Sequence, residues 1–115
     1  MMSIEEFIKK LRANPKRIAF SETIAVIEEH YNFTPTFFSN GDLQNEAGTN
    51  SGSCKILAFA KKQQLSKEET LACFGKFYFD EVLKDPNGNG HQNIRNLMQT
   101  SLEGITFKSE ALIKK

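Results

Sequence analysis

"SKEETLACFGKFYFDEVL", Ser66 to Leu83, is the stretch on which the fold turns. Ser66 and Glu69 have the spacing of a capping box, in which the serine oxygen accepts a first-turn N–H and the glutamate reaches back to the cap. Leu71, Phe74, Tyr78 and Val82 then recur at helical intervals, and Cys73 and Phe77 widen the stripe. So broad an apolar face predicts a central helix running to Asp85-Pro86, where proline stops it. The aromatic cluster "CFGKFYF" reads as core; it lacks the basic surround of a single-strand nucleic-acid platform.

Four further helices are expected around this one. Ile4, Phe7, Ile8 and Leu11 make an amphipathic helix that ends at Asn14-Pro15. Ser21 is positioned to cap a second, with Phe20, Ile24, Ile27 and Tyr31 on its inner face and Phe20 as a staple. A third starts near Ser53 with Ile56, Phe59 and Ala60 inward. The fifth runs from about His91, with Ile94, Leu97, Met98 and Leu102 inward, to Gly104. "NFTPTFFSNG" is aromatic and β-prone but contains Pro35, so it reads as an edge strand or extended segment turning at Asn40-Gly41. Ile105 and Phe107 alternate with Thr106 and Lys108 as a short strand, expected to pair with the Thr36–Phe38 region. The polar run Asp42 to Gly52 has no periodicity and reads as a loop. The fold class is therefore α+β, predominantly helical: about five helices around one core with a small two-stranded β pairing.

The totals limit function. The chain's 115 residues suit one domain, 1–115, and one hydrophobic core. A net charge of +1 leaves no overall electrostatic footprint for nucleic acid or an anionic membrane. No apolar run approaches the roughly 20 residues that span a bilayer. Cys54 and Cys73 form no CxxC pair, which suits a reducing cytosol. "MMSIEEFIKK" lacks the basic and apolar regions of a signal peptide. The expectation is a cytosolic monomer with no cofactor, no nucleic-acid partner and no membrane association.

The loop "NEAGTNSGSCK", Asn45 to Lys55, carries most of the candidate chemistry. It is not a Walker A loop: only three residues separate Gly48 from Gly52, Lys55 comes too late, and Ile56 replaces the magnesium-binding hydroxyl. A glycine-bearing loop feeding a helix N-terminus can attract an anion, with Lys55 adding charge. The plainer reading makes Asn50, Ser51 or Ser53 a helix cap. Cys54 falls in a first helical turn, where the dipole favours thiolate, and His91 with Asn93 has the residue types of a Cys-His-Asn arrangement. Equally, Cys54 suits a small buried position. Cys54, Cys73, His30 and His91 lack zinc-ligand spacing, so no metal site is expected.

Gln44 to Gly48, Asn50, Gly52 to Ile56, Phe59-Ala60, Thr70-Leu71, Phe74-Gly75, Tyr78, Val82-Leu83, His91, Asn93 to Arg95 and Gly104-Ile105 with Phe107 together resemble the HopJ type III effector family. The resemblance covers nearly the whole chain and implies a small bacterial protein with no catalytic residues assigned. Gly90 stands where the family usually has Asp before His91, and Ser101-Leu102 where a Gly-Trp pair is common. Three readings stay open. The first is an effector-like protein, secreted into a host cell, that acts by binding a protein partner; against it, the first 13 residues read as an ordered helix rather than a disordered, Ser-rich signal. The second is a resident cytosolic protein binding a small molecule or anion, with Asn45, Glu46, Asn50, Ser53 and Lys55 from the loop and His91, Asn93 and Arg95 from the fifth helix as binding candidates. The third is an enzyme using Cys54 and His91.

Overall fold

A computed structural model describes residues 2–115. Five α-helices carry the chain: α1 (Ile4–Ala13), α2 (Phe20–His30), α3 (Ser51–Gln63), α4 (Lys67–Ala72) and α5 (Gln92–Thr100). Between them lie strands β1 (Tyr31–Phe33), β2 (Phe38–Asn40), β3 (Leu43–Asn45), β4 (Ile105–Phe107) and β5 (Leu112–Lys114). The architecture is α+β and predominantly helical, as the sequence predicts.

The Ser66–Leu83 stretch is not one helix. Its capping box forms as expected, with Ser66 Oγ accepting from Glu69 N–H and Glu69 Oε1 accepting from Ser66 N–H. α4 then stops after six residues, and the chain resumes as a π-helical turn over Phe77–Val82. Gly75 causes the break. Its φ of +61° is a conformation that costs any L-side chain, and its backbone lies against the Ile18–Phe20 segment. A Cβ there would sit 2.8 Å from Phe20 N. The Cys73 carbonyl left free by the break accepts a 2.9 Å hydrogen bond from Thr23 Oγ1 of α2. Burial is therefore shared between Thr70–Gly75 and Ile56–Ala60 of α3, each a run of consecutive buried residues.

Phe59 of α3 sits at the middle of the core, meeting Phe7 and Tyr31 edge-on at 6.0 and 6.2 Å between ring centroids. Leu11, Ile27, Phe38, Leu97 and Leu112 complete the surrounding core. α1 buries Phe7 and Leu11 and ends at Asn14, as read from Asn14-Pro15. α2 departs from expectation: Ala19, not Ser21, occupies the cap position without a side-chain bond, and Tyr31 begins β1.

The expected pairing forms two residues further along, with Phe38 opposite Phe107, Ser39 opposite Thr106 and Asn40 opposite Ile105. It belongs to a three-stranded antiparallel sheet ordered β3-β2-β4, because Asn40-Gly41 folds β3 back onto β2. Leu43–Asn45 is thus strand, where the sequence reads as loop; three residues show too little alternation to be seen. A second sheet joins β1 to β5, with Asn32 opposite Ile113.

Gly75→Ala should destabilise the fold by about 3 kcal/mol, adding left-handed strain to a backbone clash. Gly90, whose Cβ would meet nothing within 4 Å, should accept alanine within about 0.5 kcal/mol. Urea denaturation of the pair measures both. Ser66→Ala should lower stability by about 1 kcal/mol in the same assay.

Candidate functional site

Asn40 at the end of β2, Asn45 at the end of β3, Asn50 before α3 and Asn93 in α5 are joined by their side-chain amides. Asn40, Asn45 and Asn93 are buried. Asn40 Nδ2 donates to the Asn93 carbonyl at 2.9 Å, which fixes the orientation of its amide. The same nitrogen donates to Asn93 Oδ1 at 3.0 Å, so Asn93 must turn its Nδ2 to Asn45 Oδ1. Asn45 Nδ2 donates back to Asn93 Oδ1, and Asn50 Nδ2 donates to Asn45 Oδ1 at 2.7 Å. Asn40 Oδ1 is the one fully buried side-chain oxygen or nitrogen without a partner among the described residues.

This network holds the start of α3 beside the start of α5. Between them opens a cleft of about 510 Å³, lined by Asn50, Gly52 and Ser53 on one side and His91, Gln92 and Asn93 on the other. Phe20, Phe74 and Phe77 give it an apolar wall, with Leu43 and Ile94. Phe20 and Phe77 meet edge-on at 5.1 Å, and Phe77 lies 5.4 Å from the His91 ring. His91 Nε2 is 3.0 Å from Glu81 Oε1. The π-helical turn therefore supplies a carboxylate to the imidazole, although Gly90 carries none.

The two helices that open on the cleft differ from α1 and α4. Those two have complete Ser/Glu capping boxes. The residues preceding α3 and α5 are Asn50 and His91, both left-handed, and neither caps its helix with a side chain. The first N–H groups of both helices are thus left for other acceptors.

The structure brings together Asn50, Ser53, His91 and Asn93 on the cleft wall, with Asn45 directly behind them. Four other candidates lie elsewhere. Lys55 pairs with Glu28 at 2.9 Å and sits over the Phe33 ring. Arg95 binds the Gly90 and Asp85 carbonyls and so braces the 85–90 loop. Glu46 is exposed in the turn that Thr49 closes. Cys54 is buried and is absent from the cleft wall; burial pushes its thiol up, with the Thr36 backbone and Lys55 opposing. Cys73 is pushed up to about 12 by burial, with Glu69 adding to the effect. Neither environment favours a thiolate. Sequence reading did not single out Phe20, Leu43, Phe77 or Gln92 as site residues. The phenylalanines looked like ordinary core, and nothing in their spacing marks a cleft.

A family model for the HopJ type III effector protein matches residues 4–112. The chain belongs to the HopJ type III effector protein family. Among solved structures it is similar to VPA0580, a protein of unknown function, at 52% identity and a TM-score of 0.96, covering 99% of this chain and 95% of that one. No curated protein matches. In this HopJ chain, two of the stretches that carry the resemblance, Gly52–Ile56 and Asn93–Arg95, each contribute residues to the cleft.

Asn93→Ala should cost about 2–4 kcal/mol, because it removes three hydrogen bonds between buried amides and leaves the Asn40 and Asn45 nitrogens only the Asn93 and Phe38 carbonyls. Chemical denaturation should show the loss as a lower midpoint at unchanged m-value. Iodoacetamide at pH 8 should label neither cysteine in the native chain on the timescale that labels both in denaturant. With both thiols titrating above their ordinary values, native labelling should rise with pH only beyond the usual thiol range.

Proposed function

We propose that this HopJ-family chain works by binding rather than by a covalent step, and that its ligand site is the cleft between the starts of α3 and α5. The observation that carries the reading is convergence: two segments about 40 residues apart line one concave site with an apolar wall and a few directed polar groups. The uncapped N–H groups suit a ligand with a carboxylate or similar acceptor group. Among the described residues no lysine or arginine lines the cleft, which suits a singly charged ligand better than a polyphosphate. Phe20 and Phe77 offer faces and edges to an apolar or aromatic body. The buried Cys54 thiol disfavours the enzyme reading.

Titration of labelled protein with carboxylates, phosphate esters and nucleotides should shift the amide signals of Asn50–Ser53 and His91–Asn93 together. A silent panel, or shifts confined to other surfaces, would sink the reading. Gly52→Ala sharpens the test. Its Cβ would come 2.8 Å from Phe20 Cζ, so the ring must swing and the cleft must change shape. We expect affinity to fall roughly tenfold, about 1.4 kcal/mol, with little change in stability.

Delivery into a host cell is proposed on the family alone. α1 is held by its capping box and by the Lys10–Glu22 and Arg12–Glu69 ion pairs, so this segment must unfold to pass a narrow channel. A reporter fused after the N-terminal residues should be translocated by a type III-competent strain and retained by a secretion-deficient one; retention by both would refute delivery.

A further inference from the structure

On the other side of the Phe20–Phe77 pair lies a larger groove, of about 860 Å³, between the Lys16–Ser21 segment and the π-helical turn. Apart from the shared Phe20–Phe77 pair it has no part in the ligand reading above. Its apolar surface includes Phe79 and Leu83, one helical turn apart. Leu83 is 44% exposed and is one of two exposed large hydrophobic residues among those described. The rim carries Lys16, Arg17, Lys76 and Lys84, all exposed, against a single acid, Asp80. Over the whole chain the charges nearly balance, 15 basic to 14 acidic, so the excess on this rim is local. Lys16, Arg17 and Lys76 form no ion pair among the described residues, and Lys84 reaches Asp80 only at 3.8 Å.

We propose that this groove docks an amphipathic helix of a partner protein, apolar on one face and rich in Asp and Glu on the other. The apolar floor takes anchors spaced by one helical turn, the recurring helix-in-groove arrangement. The four cations meet the partner's acidic flanks and steer its approach. A duplex or a bilayer fits less well. Both favour a broad basic field, whereas this charge surrounds a concave slot on a chain of net charge +1. The π-helical geometry itself fits the assignment, since such turns concentrate at functional sites.

The test is a displayed library of amphipathic helices with a randomised polar face, selected against the full chain. The expected result is enrichment of Asp and Glu on that face. Selected peptides should bind at least tenfold more weakly to Arg17→Glu/Lys76→Glu and to Leu83→Asp, and binding should weaken as salt rises. These positions are exposed, and matched circular dichroism and melting of each variant separate lost binding from lost fold. Ser53→Ala and Gln92→Ala, at cleft positions outside the groove's lining, should leave peptide affinity unchanged, which keeps this result independent of the cleft. Enrichment of neutral or basic faces, or equal selection by the charge-reversed variant, would overturn the proposal. So would self-association abolished by Leu83→Asp, which would make a second copy the occupant, or charge-dependent binding of anionic vesicles or duplex DNA without peptide selection.

Discussion

The paired amides of Asn45 and Asn93 set the geometry on which the functional face depends. Buried polar groups are costly unless each finds a partner, and these satisfy one another across a long stretch of chain. Their orientation is dictated from one end by the Asn93 carbonyl, which forces Asn40 to present nitrogen. Each later amide then has only one consistent orientation. The network therefore selects one relative placement of β2, β3, α3 and α5, where an apolar contact would tolerate sliding. The cleft forms between the elements so fixed.

Gly75 sets a second constraint of a different kind. It ends α4 and seats its backbone on the segment entering α2. Beyond it the π-helical turn sets Phe77 between the cleft and the groove, while Phe79 and the adjoining Leu83 face the groove. Despite the break, Val82 still joins Leu71 and Phe74 in the core and Tyr78 packs against it, while Phe79 is left half-buried and Leu83 exposed.

Much of this was legible in the sequence, where regular periodicity and capping chemistry are local signals. The Ser66–Glu69 box, the end of α1 at Asn14, the Asn40-Gly41 turn and the approach of β4 to β2 can all be read from neighbouring residues. The helix break could not, because an isolated glycine inside a strong helical stripe is often tolerated; only the approach of Ile18–Phe20 makes Gly75 a terminus. β1, β3 and β5 are three residues each and show no usable alternation. At the site, the loop residues and His91 stood out as polar and glycine-rich. That Lys55 and Arg95 would be committed to Glu28 and to backbone carbonyls depends on tertiary neighbours that no local pattern encodes.

Phe20 and Phe77 border both concavities, one on each side of the same edge-on pair. A partition shared in this way gives the two spaces a common wall. If an occupant of either side shifts the population of ring positions, it changes affinity on the opposite side, and the second occupant must return that change by the same factor. Two rings in van der Waals contact would then be enough to link small-molecule occupancy to partner docking, with no backbone rearrangement.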